Sequence, residues 1–239
     1  MATLKFSIKI DSFNISSDDL LESNYIKSTS SNTLILEGGN DGEYQVYKGK
    51  FFYDSNGGFD YKRSVINSFE QRTSRKSLQW SVSGLKLSVN KFLDFYDVPD
   101  SLGLAKYILS GNDVITGSKF NDVLAGRGGA DKLTGGKGKD IFAYSSIADS
   151  RVGGKLRDTI TDFEGNSGEK INLSAIDAYT RVKGNQAFTY IQSNKFTGQR
   201  GEVRFSGGVL QMNTGTDKIA DMEIALTGVT SFSQNFLVL

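Results

Sequence analysis

Residues 108–143 read I-L-S-G-N-D-V-I-T, G-S-K-F-N-D-V-L-A, G-R-G-G-A-D-K-L-T and G-G-K-G-K-D-I-F-A, four consecutive nine-residue units. Asp113, Asp122, Asp131 and Asp140 recur nine residues apart, and Ile115, Leu124, Leu133 and Phe142 follow each of them by two. Each unit divides into a six-residue turn and a three-residue strand. Side chains alternate faces along a strand, so only one per unit points inward, and the apolar series above supplies it. The turn needs glycine because several of its positions take backbone conformations that a Cβ forbids. Two units then make one coil of a flattened right-handed helix, and residues eighteen apart stack. Asp113 is expected over Asp131 on one edge and Asp122 over Asp140 on the other.

Between stacked turns, carboxylates and turn carbonyls converge on a gap suited to a hard cation with about six to eight oxygen ligands. Without the ion these oxygens repel one another, so ion and fold are expected to form together. Four units complete about one calcium site per edge. Asp158, eighteen beyond Asp140, is expected to extend one edge. Units one and two are degenerate, with Ile108, Leu109, Ser118 and Phe120 where glycine is usual. The best sites therefore involve the turns Gly126–Asp131 and Gly135–Asp140, so the candidate ligating set is Asp113, Asp122, Asp131, Asp140 and Asp158 with Gly126, Gly128, Gly135, Gly136 and Gly138. The alternative is a Gly/Asp-rich loop without metal, against which four aspartates and four apolar residues stand in one register.

The chain has neither cysteine nor histidine. That removes disulfides, thiol nucleophiles, the Ser-His-Asp triad and histidine-based zinc sites. Carboxylate-only chemistry such as glycoside hydrolysis survives. A net charge of +1 gives no argument for nucleic acid. There is no apolar run of about 18 residues, hence no expected membrane span. Residues 1–11 lack the uninterrupted apolar stretch of a secretory signal peptide.

The expected fold is all-β in three parts: a β-rich domain over 1–105, a parallel roll over 106–144 and a β-sandwich cap over 145–239. In the first part Leu4, Phe6, Ile8 and Ile10 alternate with polar residues as a strand. A short helix follows over Ser17–Glu22, then a strand over Thr33–Leu36. A hairpin over Tyr44–Tyr53 breaks at Lys48-Gly49, with a further turn at Asn56–Gly58. Strands over Val65–Phe69, Leu78–Val82 and Leu85–Val89 precede a helix over Ser101–Ile108. The aromatics Tyr44, Tyr47, Phe51, Phe52, Tyr53, Phe59, Tyr61 and Trp80 invite a sugar-binding reading, but core filling and cross-strand pairing account for most of them. In the cap, strands are expected over 158–163, 170–177, 186–191, 201–205, 209–212 and 222–226, with Asp217 and Asp221 as turn residues. The cap is needed because a solenoid must hide its last coil.

The G-G-x-G-x-D-x-U-x pattern is that of RTX calcium-binding repeats. Residues 109–239 resemble the C-terminal RTX domain of serralysin metalloproteases and related type I-secreted bacterial proteins. The repeats carry the likeness, with D-T-I-T-D-F-E-G, K-I-N-L-S-A-I-D-A, N-Q-A-F-T-Y-I-Q, F-T-G-Q-R-G-E-V-R-F and A-D-M-E-I-A-L-T-G-V-T. The resemblance implies a calcium-loaded parallel β-roll with a sandwich cap, export by the type I secretion machinery and an extracellular location. The ending Asn235-Phe-Leu-Val-Leu239 is similar to the family's terminal export signal, with Asn235 where aspartate is usual and one extra leucine. No catalysis carries over, since a serralysin protease domain needs three zinc-binding histidines. The run G-K-F-F-Y-D-S-N-G-G…S-V-S-G-L-K-L-S resembles the N-terminal domains of small type I-secreted proteins, the haemophore class among them. Three roles for residues 1–105 stay open: non-enzymatic attachment to polysaccharide or cell surface, a small polysaccharide-active enzyme using acids such as Glu37, Glu43 or Glu70, and a haemophore-like carrier. Missing catalytic motifs favour the first, and missing histidine argues against haem.

Overall fold

The computed structural model describes residues 3–6, 25–29, 33–38, 43–50, 65–72, 78–88 and 109–239. They fall into two compact units divided after Ile108. The expected helices over Ser17–Glu22 and Ser101–Ile108 and the turn at Asn56–Gly58 lie outside the described residues. Among those residues no helix is long and apolar enough to cross a membrane.

The first unit contains β1 (Thr3–Phe6), β2 (Tyr25–Thr29), β3 (Thr33–Gly38), β4 (Glu43–Lys50), β5 (Val65–Arg72) and β6 (Leu78–Ser88). They pair antiparallel in the order β1-β6-β5-β4-β3-β2. Two expectations are corrected here. Lys48-Gly49 does not turn the chain: β4 runs through it, and the register against β5 shifts at that point. A Cβ on Gly49 would strike the Val65 carbonyl, so glycine permits a bulge where a turn was expected. Likewise 78–82 and 85–89 are not two strands but the single β6, whose register against β5 shifts between Ile66 and Ser68. Glycine inside a strand marks a bulge as readily as a turn.

In the second unit the repeats form β7 (Val114–Thr116), β8 (Val123–Leu124), β9 (Lys132–Thr134) and β10 (Ile141–Ala143). Alternate strands join opposite sheets, with β7 parallel to β9 and β8 parallel to β10. Ile115, Leu124, Leu133 and Phe142 all point inward and are at most 1% exposed. The rest of the chain extends both sheets. On one, β11 (Asp158–Ile160) adds parallel to β9 and β16 (Met222–Leu226) parallel to β11. β15 (Val209–Asn213), β14 (Glu202–Ser206) and β13 (Thr189–Tyr190) follow outward. On the other, β12 (Lys170–Asn172) adds parallel to β10 and β17 (Leu237–Val238) parallel to β12. The cap therefore grows out of the roll's own sheets. Phe163, Phe205, Phe232 and Phe236 close the interior, with ring centroids 5.1–6.0 Å apart where they meet. This hides the last coil as a solenoid requires.

The nine-residue period runs further than four units, since Asp149 and Asp158 continue the series after Asp140. Unit six, Gly153–Thr161, has glycine first, Asp158 sixth and Ile160 in the inward place. Unit five, Tyr144–Val152, has Arg151 in that place. A guanidinium cannot be buried unpaired in the apolar core, and Arg151 is exposed. Unit five leaves the stack as a loop containing a 3-10 helix, Ile147–Asp149, and the roll resumes at unit six. Asp149 does not join the ladder but accepts hydrogen bonds from the N–H groups of Ser145 (2.7 Å) and Ser146 (3.0 Å).

Candidate metal centre

The aspartates stack as ladders along two edges. On one, the Asp113 N–H donates to Oδ1 of Asp131 (2.7 Å), and the Asp131 N–H donates to Oδ1 of Asp158 (2.8 Å). On the other, the Asp122 N–H donates to Oδ1 of Asp140 (2.8 Å). Asn112 and Asn121 add parallel ties, accepting from the N–H groups of Ala130 (2.9 Å) and Lys139 (2.8 Å). The eighteen-residue stacking of Asp113 on Asp131 and of Asp122 on Asp140 is present. Asp158 lies on the Asp113–Asp131 edge, not on that of Asp140, because extrusion of unit five brings it over Asp131 at a separation of 27.

Oδ1 of Asp131, Asp140 and Asp158 is thus used, and the second oxygen of each is what matters. The Oδ2 atoms of Asp131, Asp140 and Asp158 are buried without a hydrogen-bond partner, whereas Oδ2 of Asp122 accepts from the Ser118 N–H at 2.5 Å. Burial drives the Asp131 carboxyl from an ordinary value of 3.8 to about 7, and the Asp113 charge adds to it against the opposing effect of the Asp113 N–H. Burial carries Asp158 to about 8, helped by Asp131, and raises Asp140 as well. Buried anions without a counter-charge are costly.

Glu169 was not foreseen. It stands beside Asp140 in the ladder, since the next residue, Lys170, pairs with Ile141 and donates its N–H to the Asp140 carbonyl (2.9 Å). It is 3% exposed, and burial drives its carboxyl to about 7. The signal was an acid two residues before an inward Ile171, at 29 residues from Asp140 rather than 18.

The turn glycines divide by what the backbone asks of them. A Cβ on Gly126 or Gly135 would run into Oδ2 of Asp131 or Asp140. Gly138 has φ +130 and faces the Phe120 carbonyl, while Gly136 has φ +92 and faces that of Ser118. The N–H groups of Gly135 and Gly136 both donate to the Asp162 carboxylate at 2.9 Å. Gly128 meets no such demand; the close approach falls instead on Gly129, packed against the Gly111 carbonyl.

Among the described residues no three His, Cys, Asp or Glu side chains form a group able to hold a metal. A cation between the turns must draw on backbone carbonyls as well as aspartates. An all-oxygen donor set, partly main-chain and without nitrogen or sulfur, suits calcium rather than a transition metal.

Removing residues 144–152 joins Ala143 to Gly153 and leaves unit six directly behind unit four, with Asp158 eighteen from a shortened-chain partner at Asp131. The deletion variant is expected to keep its calcium-induced rise in strand signal by circular dichroism. It should melt earlier, because Ser150 Oγ, which receives the Asp158 N–H (2.8 Å), is lost. A variant blind to calcium would show that unit five is integral to the roll rather than looped out of it.

A family model described as peptidase M10 serralysin C terminal matches residues 70–238. The solution structure of the AlgE6R2 subunit of the Azotobacter vinelandii mannuronan C5-epimerase is similar over 54% of this chain and 77% of its own, at 25% identity and a TM-score of 0.40. The AlgE6R3 subunit is similar over 54% and 74%, at 25% identity and a TM-score of 0.34. The extracellular lipase LipA from Serratia marcescens is similar over 92% of this chain and 31% of its own, at 16% identity and a TM-score of 0.31. No curated protein matches the chain.

Proposed function

The chain belongs to the peptidase M10 serralysin C-terminal family, and from that membership we propose an exported bacterial protein whose roll folds on calcium outside the cell and which acts there by attachment rather than catalysis. RTX repeat domains of this kind bind calcium. The observation that carries the reading to this chain is the set of buried, unpartnered Oδ2 atoms of Asp131, Asp140 and Asp158. In this reading Asp113, Asp122, Asp131, Asp140 and Asp158, with the turns containing Gly126, Gly128, Gly135, Gly136 and Gly138, hold the ions. Bound calcium supplies the positive charge that these oxygens lack.

The chain's own groups do the rest. Oδ1 of Asp131, Asp140 and Asp158 each receives the N–H of the preceding coil and so fixes the distance between turns. The glycines let neighbouring turns approach closely, and Ile115, Leu124, Leu133 and Phe142 gain a core only when coils stack. Weak extracellular-type sites, with dissociation constants of about 10⁻⁴–10⁻³ M, stay empty in the cytoplasm and fill outside. Binding only the folded state then stabilises it by mass action. The chain remains threadable by the type I secretion machinery until it emerges, and calcium takes the place of the disulfides that a cysteine-free chain cannot form.

Attachment is assigned to residues 1–105, where the absence of histidine, cysteine and a catalytic motif supports a surface- or polysaccharide-binding role. Retention of the calcium-loaded protein on its own cells and their extracellular polysaccharide is the test. We expect retention that a chelator reverses and that deletion of residues 1–105 abolishes. A protein that washes through in both states would overturn the attachment reading while leaving calcium-dependent folding intact.

A further inference from the structure

Asn213, at the end of β15, is fully buried away from the aspartate ladders, and its Oδ1 has no hydrogen-bond partner. It opens the connection to β16, residues 213–221, which reads N-T-G-T-D-K-I-A-D. Thr214 donates its N–H (2.7 Å) and its hydroxyl (2.8 Å) to Oδ2 of Asp221. Asp217 Oδ1 receives the Ile219 N–H at 3.2 Å. Neither Asp217 Oδ2 nor Asp221 Oδ1 is engaged in these bonds. A Cβ on Gly215 would meet Asp217 Oδ1 at 3.4 Å and Asn213 Oδ1 at 3.8 Å, so the orphaned oxygen points into the loop beside that carboxylate. The amide nitrogen of Asn213 bridges the loop, donating to Asp217 Oδ1 (3.4 Å) and to the Ile219 carbonyl.

The spacing is that of a hard-cation loop. An EF-hand ligates through its first, third, fifth and ninth residues and a carbonyl at its seventh, and it turns sharply at its sixth. Counted from Asn213, Asp217 is fifth, the Ile219 carbonyl seventh and Asp221 ninth. Lys218, the sixth, has φ +62, a left-handed turn that side chains seldom adopt. The twelfth place holds Ile224, buried in the core, so the closing carboxylate of an EF-hand is missing. We propose that Asn213, Asp217, Asp221 and the Ile219 carbonyl form a site for one calcium-sized divalent cation in the cap, separate from the roll. Two carboxylates match the charge of such an ion. Turned over about its last bond, the amide presents Oδ1 where Nδ2 now stands, facing Asp217 Oδ1 and the Ile219 carbonyl. Three oxygens so placed have no donor among them, and a cation at their centre supplies what they lack. Without the ion the nitrogen holds the loop closed and leaves its own oxygen orphaned, which costs free energy.

Calcium bound per full chain, measured by equilibrium dialysis, tests it. Asp217→Asn is expected to bind one ion fewer than the parent while keeping the calcium-dependent gain in strand signal. Asn213→Asp removes the donating nitrogen and adds a charge. In chelator this second variant is expected to melt earlier than the parent, and calcium should restore it. One class of site should then tighten by about tenfold, as added ligand charge does in oxygen sites. An equal ion count in Asp217→Asn and the parent would overturn the proposal. So would an Asn213→Asp chain that calcium neither restores nor binds more tightly, since Asn213 would then be only a staple of the loop. If Asp217→Asn does not fold, the Asn213→Asp result decides alone. A parent without the strand gain that still loses one ion in Asp217→Asn would refute calcium in the roll and uphold this site.

Discussion

Alanine at both Asp131 and Asp140 is expected to abolish the calcium-dependent gain in strand signal seen by circular dichroism. Asp131 is the middle rung of its edge, receiving the Asp113 N–H on Oδ1 and passing its own N–H to Asp158. Asp140 holds the matching place between Asp122 and Glu169 on the other edge. Removing both carboxylates strips each edge of its central oxygens and leaves the Asp113 and Asp122 N–H groups without acceptors. An orphaned buried N–H costs about 1–3 kcal/mol, so two remove a large share of the ~5–15 kcal/mol by which a typical domain is stable. Calcium would no longer compensate, because its linkage contribution scales with occupancy of the sites just deleted. A double variant that gains strand signal on calcium as the parent does would sink the ligand assignment.

Acid should partly stand in for calcium. In the metal-free fold the carboxyls of Asp131, Asp158 and Glu169 titrate at about 7, about 8 and about 7, raised chiefly by burial. In the unfolded chain they titrate near the ordinary values of 3.8 and 4.5. Between those limits the folded state binds more protons than the unfolded state, so stability falls as pH rises. This contribution is full below about pH 4 and lost as pH passes through about 7 to 8. In chelator, strand content and melting temperature are therefore expected to rise as pH falls from about 8 to 5. With saturating calcium the dependence should flatten, since the ion displaces those protons. Metal-free melting that is flat or rises with pH over this range would show that these carboxyls are not held protonated in the fold.

The regular part of the fold was legible because two periods coincide in it. An aspartate and an inward apolar residue recur together, which specified strands, facing and the stacking of Asp113 on Asp131 and Asp122 on Asp140. What was not legible is where the regularity is interrupted. Arg151 in an inward place is a charge no core accepts, and reading it would have marked unit five as looped out and moved Asp158 to the correct edge. Glu169 keeps the acid-before-apolar spacing but stands at an irregular interval, so counting alone does not reach it. Glycine was ambiguous for a physical reason. A missing Cβ serves a turn, a bulge or a close approach alike, as Gly49 and Gly129 show, and only the neighbouring carbonyl decides which.

The aspartate ladder has a direction. Each N–H is received by a carboxylate that comes later in the chain: Asp113 by Asp131, Asp131 by Asp158 and Asp122 by Asp140. The Asp158 N–H is in turn received by Ser150 Oγ, whose hydroxyl donates to the Glu223 carbonyl in β16. The roll therefore behaves like a filament with one growing end. Coils added from the C-terminal side find the carboxylate acceptor of each ladder N–H in place, as subunits do on a seeded polymer, whereas coils formed from the N-terminal side offer the next coil only strand carbonyls and the Asn112 and Asn121 side chains. A chain that enters calcium with its C-terminal end leading would assemble coil by coil on a finished seed, each new coil holding the segment behind it from slipping back.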